Sequence, residues 1–163
     1  MAIKVYSFQA AHMVVSAGAL MTSISGESPG DDVFKFTRAE DSVFDEVGAD
    51  GQMVCSVNTN KSGSTHIKLS QTSPSNAVLL AIEALAAGGP NTFVPVSVGF
   101  QDSNRQDTIG GLSGYIKKIP DISRGVKASH MEWEIRLENL DVILGNPVQP
   151  LAAQAAASAL AGQ

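Results

Sequence analysis

The chain has a single cysteine, Cys55, in 163 residues, which excludes an intramolecular disulfide and any multi-cysteine zinc site. Aromatic residues make up only 6%, too few for a platform on which successive bases could stack. Cations are in the minority, and the net charge of −5 argues against gripping nucleic acid by phosphate neutralisation. No apolar run reaches the ~20 residues of a membrane span. The opening Met1-Ala2-Ile3-Lys4-Val5-Tyr6 lacks the apolar stretch of a signal peptide. Hydrophobic residues account for 44% and charged ones for 17%, a balance that suits one folded domain with a sizeable core.

Catalytic signatures are missing too. The sequence contains no G-x-S-x-G elbow, no phosphate-binding P-loop and no G-x-G-x-x-G fingerprint. His12, His66 and His130 lie far apart, without the short spacings of metal ligands, and are expected on surfaces or turns. Cys55 has no basic neighbour to lower its thiol pKa, so a buried structural role is expected. Glu132, Glu134 and Glu138 share a strand face with Arg136, which opposes the raised pKa an acid catalyst needs and favours a solvated ladder. No catalytic, cofactor-binding or metal-binding residue is expected, and the chain does not read as an enzyme.

The acidic surplus is local. Residues 27–51 hold Glu27, Asp31, Asp32, Glu40, Asp41, Asp45, Glu46 and Asp50 against Lys35 and Arg38, whereas acids and bases balance from residue 52 onward. Such a block is either a solvated loop or a surface facing a partner or conduit, and charge alone does not choose.

Most of the chain reads as strands. Ile3–Phe8, Gly18–Ser25, 33–38, Thr65–Ser70, Val94–Phe100 and Gly114–Ile119 are candidates, with Phe34 and Phe36 on one face and Pro95 at a strand start or edge. The clearest alternation is Met131–Glu138, apolar at odd positions and charged at even ones. After Leu137 the phase flips to Leu140, Val142 and Leu144, which requires either a bulge near Asn139 or a tight turn over 138–141. One helix is predicted over 74–87, with Ser73 as N-cap, Pro74 in the first helical position and Gly88-Gly89-Pro90 as the stop. Its interior carries only Glu83 as a charge, so it is either a core helix padded with alanine or a helix whose outer face another subunit covers. Residues 39–63 form a long segment with apolar residues in it, a binding element or a hairpin turning at Asp50-Gly51. Residues 147–163 form an alanine-rich tail that is frayed or docked on a neighbour.

A β-rich domain with an underpolar helix and an apolar loop has surfaces that copies of itself could complete, since open sheet edges must be paired or covered. A heterologous contact that closes by rotation makes a ring, and one along the ring axis stacks rings into a filament.

Particular residues carry a resemblance. Val47-Gly48-Ala49-Asp50-Gly51, the Asn60-Lys61-Ser62-Gly63 turn into Ile67-Lys68-Leu69, and Gln71-Thr72-Ser73-Pro74-Ser75-Asn76 resemble the tail tube proteins of contractile-tailed bacteriophages. Ile119-Pro120, Arg124-Gly125 and Glu132-Trp133 fit the same pattern, and the likeness runs to about Gly145. It implies a mainly β fold with one helix, a sandwich or partial barrel over residues 1–146 that completes a continuous β-barrel in a hexameric ring. By that analogy Asp41–Thr59 is the ring-stacking loop, with Asp41, Phe44, Val47, Met53 and Val54 at the contact. The helix then lies on the outer wall, towards the sheath or the next subunit. The implied partners are further copies of the chain, a tail sheath protein and baseplate or terminator proteins, with DNA passing through without specific binding. The implied location is the virion tail, assembled in the bacterial host cytoplasm. The lumen needs a lining that does not hold phosphates, and Glu132, Glu134, Arg136 and Glu138 are the candidates, with Trp133, Ile135 and Leu137 turned into the core. Two alternatives stand beside this: a secreted tube of the type VI kind, and a monomeric β-sandwich binding module.

Overall fold

The computed structural model describes residues 8–25 and 33–145. The expected strand at 3–8, the acids Glu27, Asp31 and Asp32, and the tail 147–163 lie outside the described residues, save Phe8 in a short 3-10 turn, Phe8–Ala10.

Ten antiparallel strands and one helix follow: β1 Ala11–Ala17, β2 Leu20–Ile24, β3 Phe34–Arg38, β4 Val43–Val47, β5 Met53–Val57, β6 Gly63–Ser70, α1 Ser75–Ala87, β7 Val96–Asp102, β8 Asp107–Ile116, β9 His130–Leu137 and β10 Asn139–Ile143. Eight of the strands form one bent sheet, in the order β2-β1-β7-β8-β9-β6-β3, with β10 also on β8. The bend makes two packed layers. β2, β1, β7, β8 and β10 form the first, and β3, β6, β9 and the end of β8 form the second. Fold class and helix number therefore match the sequence expectation.

Period-2 alternation builds the core. β1, β6 and β9 each bury every second residue, so Met13 and Val15 meet Ile67, Leu69, Trp133, Ile135 and Leu137 across the layers. Phe100 of β7 closes one side against Phe34 and Phe36, with ring centroids 5.4 and 5.3 Å apart. β1 escaped the sequence reading because Val14, on its outward face, blurs the alternation of Ala11, Met13, Val15 and Ala17.

The phase flip after Leu137 is a bulge rather than a turn. β9 and β10 pair with β8 in one unbroken register, Ile135↔Ile116 through Ile143↔Thr108. Against β6 the register slips by one, from Gly63↔Leu137 to the Leu140 N–H donated to the Lys61 carbonyl at 2.8 Å. β8 makes the matching adjustment opposite, where Ser113 has φ +56° and the pairing with β7 shifts between Val96 and Val98. Paired bulges of this kind let strands cross from one layer to the other.

The helix begins at Ser75, one residue later than expected, with Pro74 at the capping position already in helical conformation. Ser73 Oγ still accepts the Ser75 N–H, at 3.3 Å. The first turn then clamps both layers: Thr22 Oγ1 donates to Ser75 Oγ at 2.9 Å, and Trp133 Nε1 donates to Asn76 Oδ1 at 2.9 Å. Leu79 and Ile82 are buried against the body, while Leu80 and Leu85 face outward. The helix is thus neither wholly core nor polar on its free side.

Candidate assembly surfaces

β3 and β6 belong to the second layer, but the two chains continue past Arg38 and Gly63 as a two-stranded ribbon, β4 and β5. The segment 39–63 is therefore a hairpin. A Gly48 to Gly51 turn closes it, in which Gly51 N–H donates to the Gly48 carbonyl at 2.9 Å and Gly51 sits at φ +81°. Only glycine adopts that φ without strain, so Asp50-Gly51 sets the turn as the sequence suggests. Gln52 N–H donates to Asp50 Oδ1 at 3.1 Å and fixes the tip.

All ten strand residues of this arm are exposed. Phe44, Val47, Met53 and Val54 stand 50–64% exposed, on both faces of the ribbon. Val43 and Val57 extend the apolar set beyond the residues picked from the sequence. Interleaved with them are Glu40, Asp41, Asp45, Glu46 and Asp50, with no cation in residues 39–57. Cys55 corrects its expectation: it is exposed, because β5 stands off the body and has no core to point into.

Polar bonds hold the root of the arm where its register slips by one residue relative to β3 and β6. Asn58 Nδ2 donates to Glu40 Oε2 at 2.8 Å and to the Asp41 carbonyl at 2.9 Å. Asn58 Oδ1 accepts the Asn60 N–H and Asn60 Oδ1 accepts the Ser62 N–H, two successive Asx turns. Hydrogen bonding from the side chain of Asn58, the larger cause, and from that of Asn60 holds the Glu40 carboxyl below the usual carboxylate range. Arg38 Nη2 donates to the Leu140 carbonyl at 2.6 Å and ties the root to the bulge. The sequence reading missed Asn58 and Asn60 as anchors, although an Asn-x-Asn run before a strand is a recognisable turn signal.

The residues picked for a lumen divide. Glu132, Glu134 and Arg136 do share the outer face of β9, opposite fully buried Trp133, Ile135 and Leu137. Register places them beside Lys68, His66 and Ser64 of β6. His66 Nδ1 lies 3.5 Å from Glu132 Oε1, and Lys117 Nζ lies 3.3 Å from Glu134 Oε1. Lys35 continues the face on β3. This is a mixed-charge lattice in which each ion pair joins one exposed and one half-buried side chain. Glu138 sits apart from it, at the bulge, in a shallow depression with Asn60, Lys61 and Ser113.

The outer face of the first layer is different. β1, β2 and β7 present His12, Val14, Ser16, Met21, Ser23, Ser97, Gly99 and Gln101 there, with neither a carboxylate nor a lysine or arginine. Among the described residues no cluster of three His, Cys, Asp or Glu could hold a metal ion, and no helix is long and apolar enough to cross a membrane.

The family model described as bacteriophage PhiTE tail tube protein matches residues 3–145. No curated protein sequence matches the chain. Among solved structures, the fold is similar to the tube-terminating cap of the anti-feeding prophage, with TM-score 0.53 and 6% identity over 89% of this chain and 94% of that one. It is also similar to a chain of the sheath–tube complex of an extracellular contractile injection system in its extended state. There the TM-score is 0.52 and the identity 8%, over 81% of this chain and 88% of that one.

Proposed function

Because the chain belongs to the bacteriophage PhiTE tail tube protein family, we propose that it is a structural subunit whose hexameric rings stack into a hollow conduit for DNA in a contractile tail. One observation carries this reading: an arm with apolar side chains on both faces and nothing among the described residues to bury them against. Burying such side chains is worth ~1.5–3 kcal/mol each, so the arm has a strong drive to dock on another molecule. Asp41, Phe44, Val47, Met53 and Val54 make the stacking contact, and residues 1–146 form the tube domain. Ring closure draws on β2 and β3, each of which pairs on one side only among the described residues. The outward face of α1, with Leu80 and Leu85, turns to the sheath protein, and the open ends of the tube meet baseplate and terminator proteins. Assembly takes place in the host cytoplasm, and the role is non-catalytic.

The lumen is lined by the outer face of the second layer, through Glu132, Glu134 and Arg136, with Glu138 beside it at the bulge. Ion pairing keeps its cations from holding phosphates by counterion release. The face of the first layer is a second reading, favoured by its lack of charged side chains on three strands. Lysine at Glu132 and Glu134 slows ejection in a salt-dependent way if the first reading holds; lysine at Ser97 and Gln101 does so if the second holds. Electron microscopy of the purified protein tests the main proposal. Stacked annuli with a central hole are expected, and a monodisperse monomer at every concentration overturns it.

A further inference from the structure

The arm needs a receptor, and one surface matches it in both charge and chemistry. Residues 117–129, between β8 and β9, carry Lys117, Lys118, Arg124 and Lys127 against Asp121 alone. The same loop exposes Ile119, Ile122 and Val126. Hydrogen bonds tie the loop to the body and to itself: Arg124 Nη1 and Ser129 Oγ both donate to Gln71 Oε1 at 3.1 Å, and Ser129 Oγ also lies 2.8 Å from the Ser123 carbonyl. The Gln71 N–H donates to the Ser129 carbonyl, which seats the loop at the far end of β6.

Position makes the match directional. The arm leaves the second layer at Arg38 and Gly63, whereas the basic loop starts beside β9, where the Lys117 N–H donates to the Glu134 carbonyl, and closes over Ser70, Gln71 and His130 at the other end of the same strands. The eight residues of β6 separate the two ends by roughly 25 Å. An acidic apolar projection at one pole and a basic apolar loop at the opposite pole cannot satisfy each other within one copy. Between copies they form a head-to-tail contact, which propagates along an axis.

We infer that the loop 117–129 is the receptor for the β4–β5 arm of the next copy of this chain. This rests on the arm being the stacking element. Phe44, Val47, Met53 and Val54 supply apolar contact to Ile119, Ile122 and Val126, and Asp45 and Glu46 meet Lys118 and Lys127. Exposed pairs of this kind add modest affinity but strong selectivity, because a like-charge pairing is costly.

Charge reversal and re-pairing test the inference, with sedimentation velocity and electron microscopy reading the extent of stacking against concentration. Lys118→Glu with Lys127→Glu raises the concentration for half-stacking about tenfold or more, as does Asp45→Lys with Glu46→Lys. The chain carrying all four changes recovers most of the loss. Lys118→Gln with Lys127→Gln gives a smaller shift in the same direction and guards against a folding defect, with the melting temperature of the unstacked species as control. Stacking unchanged by either acceptor pair, or no recovery in the fourfold variant, overturns the inference. Phe44→Ser with Val54→Ser tests the arm apart from its receptor. If that variant fails to stack while the Lys118 and Lys127 variants stack normally, the arm remains the stacking element and its receptor lies elsewhere. If it stacks normally, the arm reading itself falls.

Discussion

The ribbon formed by β3 to β6 is two molecules in one. Its lower half, β3 with β6, is pinned in the second layer, and β6 buries Thr65, Ile67 and Leu69 completely. Its upper half, β4 with β5, has comparable apolar residues and buries none of them. Both halves have strand-forming sequences and continuous backbone pairing. What separates them is a facing layer: β6 has β1 and the aromatic cluster to pack on, and among the described residues nothing covers the arm. Secondary structure thus extends beyond the core that stabilises the domain, and the free half is the surface proposed above for assembly.

Truncations in the body should unfold the subunit. Trp133→Ala removes the largest fully buried side chain and leaves Asn76 Oδ1 without its indole donor. A loss of about 3–5 kcal/mol is expected in denaturant titration of the unassembled protein. A loss below 1 kcal/mol would mean that the layers are not held together at the helix clamp. Gly114→Val comes next. A Cβ there would lie 2.6 Å from the Arg136 carbonyl oxygen and 2.6 Å from Leu137 Cδ2, so the paired bulge has to shift. The expected cost is about 1–3 kcal/mol, with the β8–β9 amides losing protection first.

The arm should respond in the opposite way. Phe44→Ser with Val54→Ser changes the stability of the unassembled subunit by less than about 0.5 kcal/mol, because both side chains are at least half exposed and neither belongs to the core. The same variant loses stacking, visible as lone rings or monomers in electron micrographs. A large drop in melting temperature would show instead that the arm folds back on its own body.

That contrast marks what was legible in the sequence. β9 was plain, because Met131–Leu137 alternates strictly and each apolar residue finds the core. The apolar residues of 43–57 were equally plain, and Asp50-Gly51 located the turn. Whether their side chains were buried could not be read, since strand pattern records which residues share a face and not whether anything covers it. Cys55 went astray for that reason. The bulge near Asn139 was one of two options until the Leu140 to Lys61 bond separated them. Asn76 was visible as a residue of the helix start, but its bond to Trp133, 57 positions away, has no local signature. Of the lumen candidates, Glu132, Glu134 and Arg136 share one outward strand face, and Glu138 falls outside it because β9 ends at Leu137 and the bulge follows. Their cationic neighbours came from β3, β6 and the segment after β8, and only the sheet order brings those together.

The smallest effect expected sits at the seam between the two halves and depends on pH. Glu40 is fully exposed, yet its bonds from Asn58 and Asn60 hold its carboxyl below the ordinary range. Because the folded value lies below the unfolded one, the contribution of Glu40 is complete above the unfolded pKa. It is lost as pH falls through the folded value. The root of the arm should therefore stay fixed at neutral pH and loosen only in acid, while the buried strands of the body keep their protection. Hydrogen exchange over Ser42–Asn58, corrected for the intrinsic dependence of exchange on pH, should report falling protection from about pH 5 downward. Glu40→Gln keeps an oxygen acceptor for Asn58 but cannot titrate, so its protection should stay level over the same range. A wild-type arm as flat as the Gln variant would assign the root's rigidity to Arg38 and the two Asx turns alone. A body that loosened together with the arm would deny that the ribbon has two independent halves.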